Sequence, residues 1–173
     1  MDHYIPKRRI HVTLWISERQ GYPCQIFLDL DASGQAHQTL VEKLNESTLF
    51  LPVAVGPEGR IHLVNKHRIL RITPGRQVLQ NDVYARGFDP WREEDAELTL
   101  SDGTALSGRV WMPLQRETQR LSDYMNAQGS GFFVLVTPSA THLVNAVSVT
   151  EMAISESAGV PFGMDAEGEA AKP

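Results

Sequence analysis

His62-Leu63-Val64-Asn65 returns later in the chain as His142-Leu143-Val144-Asn145. Its surroundings return with it. Leu14, Ile16, Ile26 and Leu28 match Leu98, Leu100, Val110 and Met112. Leu40, Leu44 and Asn45 match Leu121, Met125 and Asn126. Leu49-Phe50 meets Phe132-Phe133, Val53 meets Val136, and Ile69 and Ile72 meet Val149 and Met152. The offset stays near roughly eighty residues and drifts at loops, as in a duplicated supersecondary unit. The chain therefore reads as two copies of one small module. Two copies are too few for a solenoid, so a fused or face-to-face pair is expected.

Each copy carries the period of short strands. Val12, Leu14 and Ile16 alternate with His11, Thr13 and Trp15, which predicts a half-buried strand. Ile26, Leu28 and Leu30 alternate again after the turn at Arg19-Gln20-Gly21. Leu40, Val41 and Leu44 have helical spacing, and a strand over 48–55 follows them. Gly56-Pro57-Glu58-Gly59 is a turn, because proline presets φ and glycine permits positive φ. Strands over 60–65 and 68–73 close the copy. In the second copy, strands at 96–100 and 106–113 flank Asp102-Gly103, a hairpin signal. A short helix is expected over 120–127, ended by Gly129-Ser130-Gly131. Strands over 132–137, 141–145 and 147–153 complete it.

The fold class expected is all-β with short helical segments, as two similar small antiparallel barrels or curled sheets from an internal duplication. The expected divisions are a first module over 1–73, a connector over 74–95, a second module over 96–154 and a disordered acidic tail over 155–173. That tail carries Glu156, Asp165, Glu167 and Glu169 against Lys172 alone, so most of the net charge of -5 lies there. A near-neutral body makes no global case for nucleic acid. Cys24 is the single cysteine, which excludes an intramolecular disulfide. No apolar run approaches membrane-spanning length, and no hydrophobic signal segment follows Met1-Asp2-His3-Tyr4. The expectation is a cytoplasmic protein without a membrane partner.

No enzymatic constellation emerges. The six histidines, His3, His11, His37, His62, His67 and His142, lack the helical i, i+4 spacing of a hydrolytic zinc site. A Gly-rich phosphate loop and a Gly-x-Ser-x-Gly elbow are both missing. Cys24 reads as a buried inert thiol, and the run Glu93-Glu94-Asp95 with Glu97 as a solvated face. No catalytic residue, metal or cofactor is expected. Asn65 and Asn145 end their strands, where asparagine bonds its own main chain in a turn.

Two features point outward. From Gly59 to Asn81 there is no acid, while Arg60, Lys66, His67, Arg68, Arg71 and Arg76 are all present. The second copy has Ala146-Val147-Ser148 in place of Lys66-His67-Arg68, so only one copy carries this basic hairpin over 60–76. It suits a nucleic-acid backbone, or else an edge strand protected by charge. The other feature is aromatic. Phe27 and Trp111 match between copies on the face opposite the aliphatic rows, and Trp15 joins them on its own strand. Such a face fits packing between modules or subunits, or cover by the connector.

Asp123-Tyr124-Met125-Asn126, followed by the strand at Phe132 to Val136, is similar to the Asp-x-x-Met-Asn element of Sm proteins. Each copy resembles a small Sm-like or SH3-like barrel in its order of strand, Gly-turn, long strand, Asn turn and two closing strands. The first copy reads Glu42-Lys43-Leu44-Asn45 at that element. Val64-Asn65-Lys66 and Val144-Asn145-Ala146 stand where Sm proteins carry Arg-Gly, so the RNA-contacting signature is missing. The resemblance implies a barrel of short strands.

The function expected is therefore a non-enzymatic intracellular binding or assembly module. It would act as a pseudo-dimer through its apolar-aromatic face, with a protein partner or its own copy. The alternative is an RNA- or single-stranded nucleic-acid-binding protein that uses the basic hairpin.

Overall fold

The computed structural model describes residues 7–16, 20–31, 33–35, 38–113 and 120–154. The lead before Lys7 and the acidic tail over 155–173 lie outside them. Alternating burial along Lys7–Ile16 (β1) and Tyr22–Asp29 (β2) puts Val12, Leu14, Ile26 and Leu28 into a core. A short helix, Leu40–Leu44 (α1), follows. Thr39 opens it with a reciprocal capping box to Glu42, satisfying two end N–H groups. Next come Phe50–Val55 (β3), Arg60–Asn65 (β4), a 3-10 turn at Lys66–Arg68, and Ile69–Pro74 (β5).

Gln80–Val83 (α2) lies within the expected connector, and Val83 is buried in the first core. The strand Pro90–Leu100 (β6) also begins inside that stretch, earlier than its alternation suggested. Ala105–Pro113 (β7) returns across the Asp102-Gly103 turn, where Gly103 has a φ of 83° that favours glycine. Leu121–Gln128 (α3), Phe132–Val136 (β8), Thr141–Asn145 (β9), a 3-10 turn at Ala146–Ser148 and Val149–Ile154 (β10) complete the order.

The ten strands of the described residues lie in one open antiparallel sheet, in the order β10-β6-β7-β8-β9-β5-β1-β2-β3-β4. The fold is all-β with short helices, but as a continuous sheet rather than two closed barrels. Each half of that order runs fifth strand, first, second, third, fourth. The halves join where β5 pairs with β9, with Arg71 opposite Val144 and Ile72 opposite Leu143. The ladders also refine the match between halves. Phe50 pairs with Asn65 as Phe132 pairs with Asn145, so Phe50, not Leu49, stands at the place of Phe132.

One sheet serves two cores. The first gathers Leu14, Ile26, Leu28, Leu44, Val53 and Ile72, and takes Phe132, Val134 and Leu143 from the other half. The second gathers Leu98, Leu100, Val110, Met112 and Leu135, and takes Leu70 from the first half. Neighbours along β8 and β9 therefore face different cores. That explains the unbroken apolar run Phe132-Phe133-Val134-Leu135-Val136, the signature of a strand buried on both faces.

Candidate functional site

The joint between the halves is bonded as well as packed. Asn145, buried at its strand end, donates from Nδ2 to the carbonyls of Lys66 (3.0 Å) and Ile69 (2.9 Å). Its Oδ1 accepts from the Val147 N–H (3.2 Å). The Ser148 hydroxyl donates to the Leu70 carbonyl across the joint (3.0 Å). Thr73 Oγ1 and His142 Nδ1 lie 2.9 Å apart. Asn45, which caps α1, accepts from the Phe132 N–H (2.7 Å) and donates to the Phe132 carbonyl (3.1 Å). Burial pushes the His142 imidazole down to about 4, and the Arg71 charge adds to this. His142 is thus a neutral structural group.

The same four-residue motif in β4 meets a different environment. β4 is an outer strand of the sheet. Leu63 is 68% exposed where Leu143 is fully buried, and Phe50 is 48% exposed where Phe132 is 3%. Leu49 and Ile61 are exposed beside them. The Lys66 N–H donates to the Leu49 carbonyl (2.9 Å), which brackets Phe50 and Asn65 as a non-bonded pair. By alternation, Leu63 points its N–H and C=O away from β3 and out of the sheet. Pro52 sits opposite Leu63 and has no N–H to offer it. The Asn65 Oδ1 accepts from the His67 N–H (2.9 Å), as Asn145 does from Val147. Its Nδ2 has no acceptor among the described residues.

The expected basic hairpin is not a hairpin. β4 and β5 are adjacent in sequence but stand at opposite ends of their half-sheet, and no ladder joins them. The reason is the 3-10 turn, which carries the chain away from β4 before β5 begins. Lys66 is buried, its ammonium capping the carbonyls of Leu44 (3.1 Å) and Glu46. Arg71 lies over the Trp15 ring at 4.2 Å, half-buried. That leaves Arg60, His67, Arg68 and Arg76 exposed.

Nor do the three expected aromatic residues form one face. Trp15 is held by Arg71 and donates from Nε1 to Thr73 Oγ1 (3.1 Å). Phe27 lies under Arg9, 5.4 Å from ring centre to guanidinium carbon. Trp111 is stacked with Tyr84 (6.1 Å), which stacks in turn on Phe88 (4.7 Å). The connector therefore covers Trp111, while local cations cover the other two. The residues that sequence reasoning missed are Asn45, Thr73 and Ser148 at the joint, and Ile61 and Leu63 at the open edge. Their roles depend on strands that meet only in three dimensions. The one sequence signal was the matched pair Asn45 and Asn126.

The remaining chemistry is sparse. Burial pushes the Cys24 thiol up to about 11, away from the reactive thiolate. Among the described residues, no group of three His, Cys, Asp or Glu could hold a metal ion. A cleft of about 360 Å³ is lined by Tyr84, Arg86, Phe88 and Trp111, and among the described residues no carboxylate, histidine or cysteine lines it. Among the described residues no helix is long and apolar enough to cross a membrane. No protein-family model, curated protein or solved structure matches the chain.

Proposed function

We propose that this chain is a non-enzymatic intracellular assembly module that works by strand addition at the outer edge of β4. The supporting observation is the contrast within the repeated motif. Leu143 is covered because β5 adds to β9, whereas Leu63 waits uncovered on β4. Main-chain groups along such an edge supply affinity, and side chains such as Phe50, Ile61 and Leu63 supply apolar contact. The chain acts as a pseudo-dimer whose working surface is this edge rather than the aromatic residues.

The test uses a short peptide of alternating valine and threonine flanked by glutamates, labelled for anisotropy. It should bind the full chain and should lose binding to Leu63→Pro, which deletes an edge N–H without touching the β3 ladder. Equal binding by the wild type and Leu63→Pro would overturn the proposal. So would a single-stranded oligonucleotide that binds with an affinity falling about 0.7 log units per phosphate contact with each log unit of salt, while the peptide does not bind.

A further inference from the structure

Among the described residues the sheet has two outer strands, β4 and β10. In the strand order of its half, β4 is the counterpart of β9 and β10 is the counterpart of β5. The internal joint pairs β5 with β9. Each chain therefore carries one used pair of this kind and one unused pair, with its two members at opposite ends. Resting on the strand-addition reading above, we infer that the partner of β4 is β10 of a second copy of this chain. Copies then join head to tail.

The side chains on the two ends match as plug and socket. At the internal joint, Phe132 and Leu143 enter the first core and meet Leu44, Ile69 and Ile72, all fully or almost fully buried. At the free ends the plug residues Phe50 and Leu63 are exposed. The socket residues Met125, Val149 and Met152, counterparts of Leu44, Ile69 and Ile72, are only half-buried against the second core. In the register of the internal joint, Leu63 lies opposite Met152 and Val64 opposite Glu151. The spare Nδ2 of Asn65 then meets the carbonyls of Ala146 and Val149, as Asn145 meets those of Lys66 and Ile69. The two joints differ at three points: Arg68 stands where Ser148 bonds the Leu70 carbonyl, Ala153 stands where Thr73 meets His142, and the third lies at Gly131. Gly131 lets Asn45 Oδ1 approach closely, and Leu49 occupies the corresponding place, so the Asn126 contact must sit further out.

Charge selects this arrangement over a two-fold one. The β4 end presents Arg60 and Arg68. The β10 end presents Glu151, beside Asp95 and Glu97 on β6. Pairing β4 with β10 sets cations against carboxylates, whereas pairing β4 with β4 sets cations together. A heterologous contact of this kind closes into a ring when its rotation divides a full turn and otherwise extends as a fibre.

Light scattering on the full chain tests this, with a monomer mass of 19.3 kDa as the reference. The wild type should exceed that mass and dissociate on dilution. Leu63→Pro, with a blocked β4, and Met152→Pro, with a blocked β10, should each be monomeric. Mixed, they should form a dimer and nothing larger, because one good edge of each kind remains. Where Met152→Pro loses its circular dichroism signal, Glu151→Arg replaces it and should weaken association about tenfold at low salt. A wild type that is monomeric at every concentration overturns the inference, as does a dimer of Met152→Pro alone. If the valine-threonine peptide still binds that monomeric wild type, strand addition stands and only the second copy is wrong. If it does not bind, both fail.

Discussion

Replacing Asn145 and Asn65 with aspartate separates their roles by a single atom. Aspartate keeps the Oδ1 acceptor and loses the Nδ2 donor. Asn65 uses only Oδ1, for the His67 N–H. Asn65→Asp should therefore change stability by no more than about 0.5 kcal/mol, the range of a surface substitution. Asn145 uses both ends, and its Nδ2 serves two buried carbonyls, those of Lys66 and Ile69. Asn145→Asp removes both bonds and sets a carboxylate against two carbonyl oxygens. At about 1 kcal/mol per lost bond, plus the cost of leaving buried acceptors unpaired, the loss is about 3 to 4 kcal/mol. Urea unfolding of dilute protein at neutral pH, followed by tryptophan fluorescence, measures both variants. Dilution keeps self-association out of the comparison. Equal losses for the two variants would refute the argument, since it would mean that the joint does not distinguish the twin asparagines.

Acid should reveal the neutral His142. Its folded pKa of about 4 lies below the ordinary 6.5, so between those values the unfolded chain binds a proton that the native chain does not. Stability is then fully present above about pH 6.5 and falls as the pH drops toward 4. By pH 5 the loss is about 2 kcal/mol before solvent screening and about 1 kcal/mol after it. His142→Gln should remove this pH-dependent loss, and identical urea midpoints against pH for the two proteins would contradict it. Gly108→Ala should cost about 2 kcal/mol, because its Cβ would lie 2.5 Å from the Val136 carbonyl oxygen in the β7·β8 ladder. A melting temperature unchanged by that substitution would show that the ladder can open without penalty.

Much of the local architecture was legible in the chain. The alternation of Val12, Leu14 and Ile16 marks β1, and Asp102-Gly103 marks the turn between β6 and β7. The helical spacing of Leu40 and Leu44 marks α1, and the glycines after Gln128 mark the end of α3. These signals are local, because alternation, capping and turn chemistry act within a few residues. The tertiary partners of the basic and aromatic residues were not legible. Lys66 turns inward to cap the Leu44 carbonyl at the end of α1, and Tyr84 arrives from the connector to cover Trp111. Neither partner is close in sequence.

The chain by itself determined that His62-Leu63-Val64-Asn65 and His142-Leu143-Val144-Asn145 would both be strands ending in an asparagine turn, and they are. Only the tertiary structure decided that one would lie in the middle of the sheet and the other at its rim. The physical reason is that alternation and turn geometry are properties of the segment itself. Cover for Leu143 comes from β5, a strand some seventy residues away whose edge groups carry no sequence label for their partner.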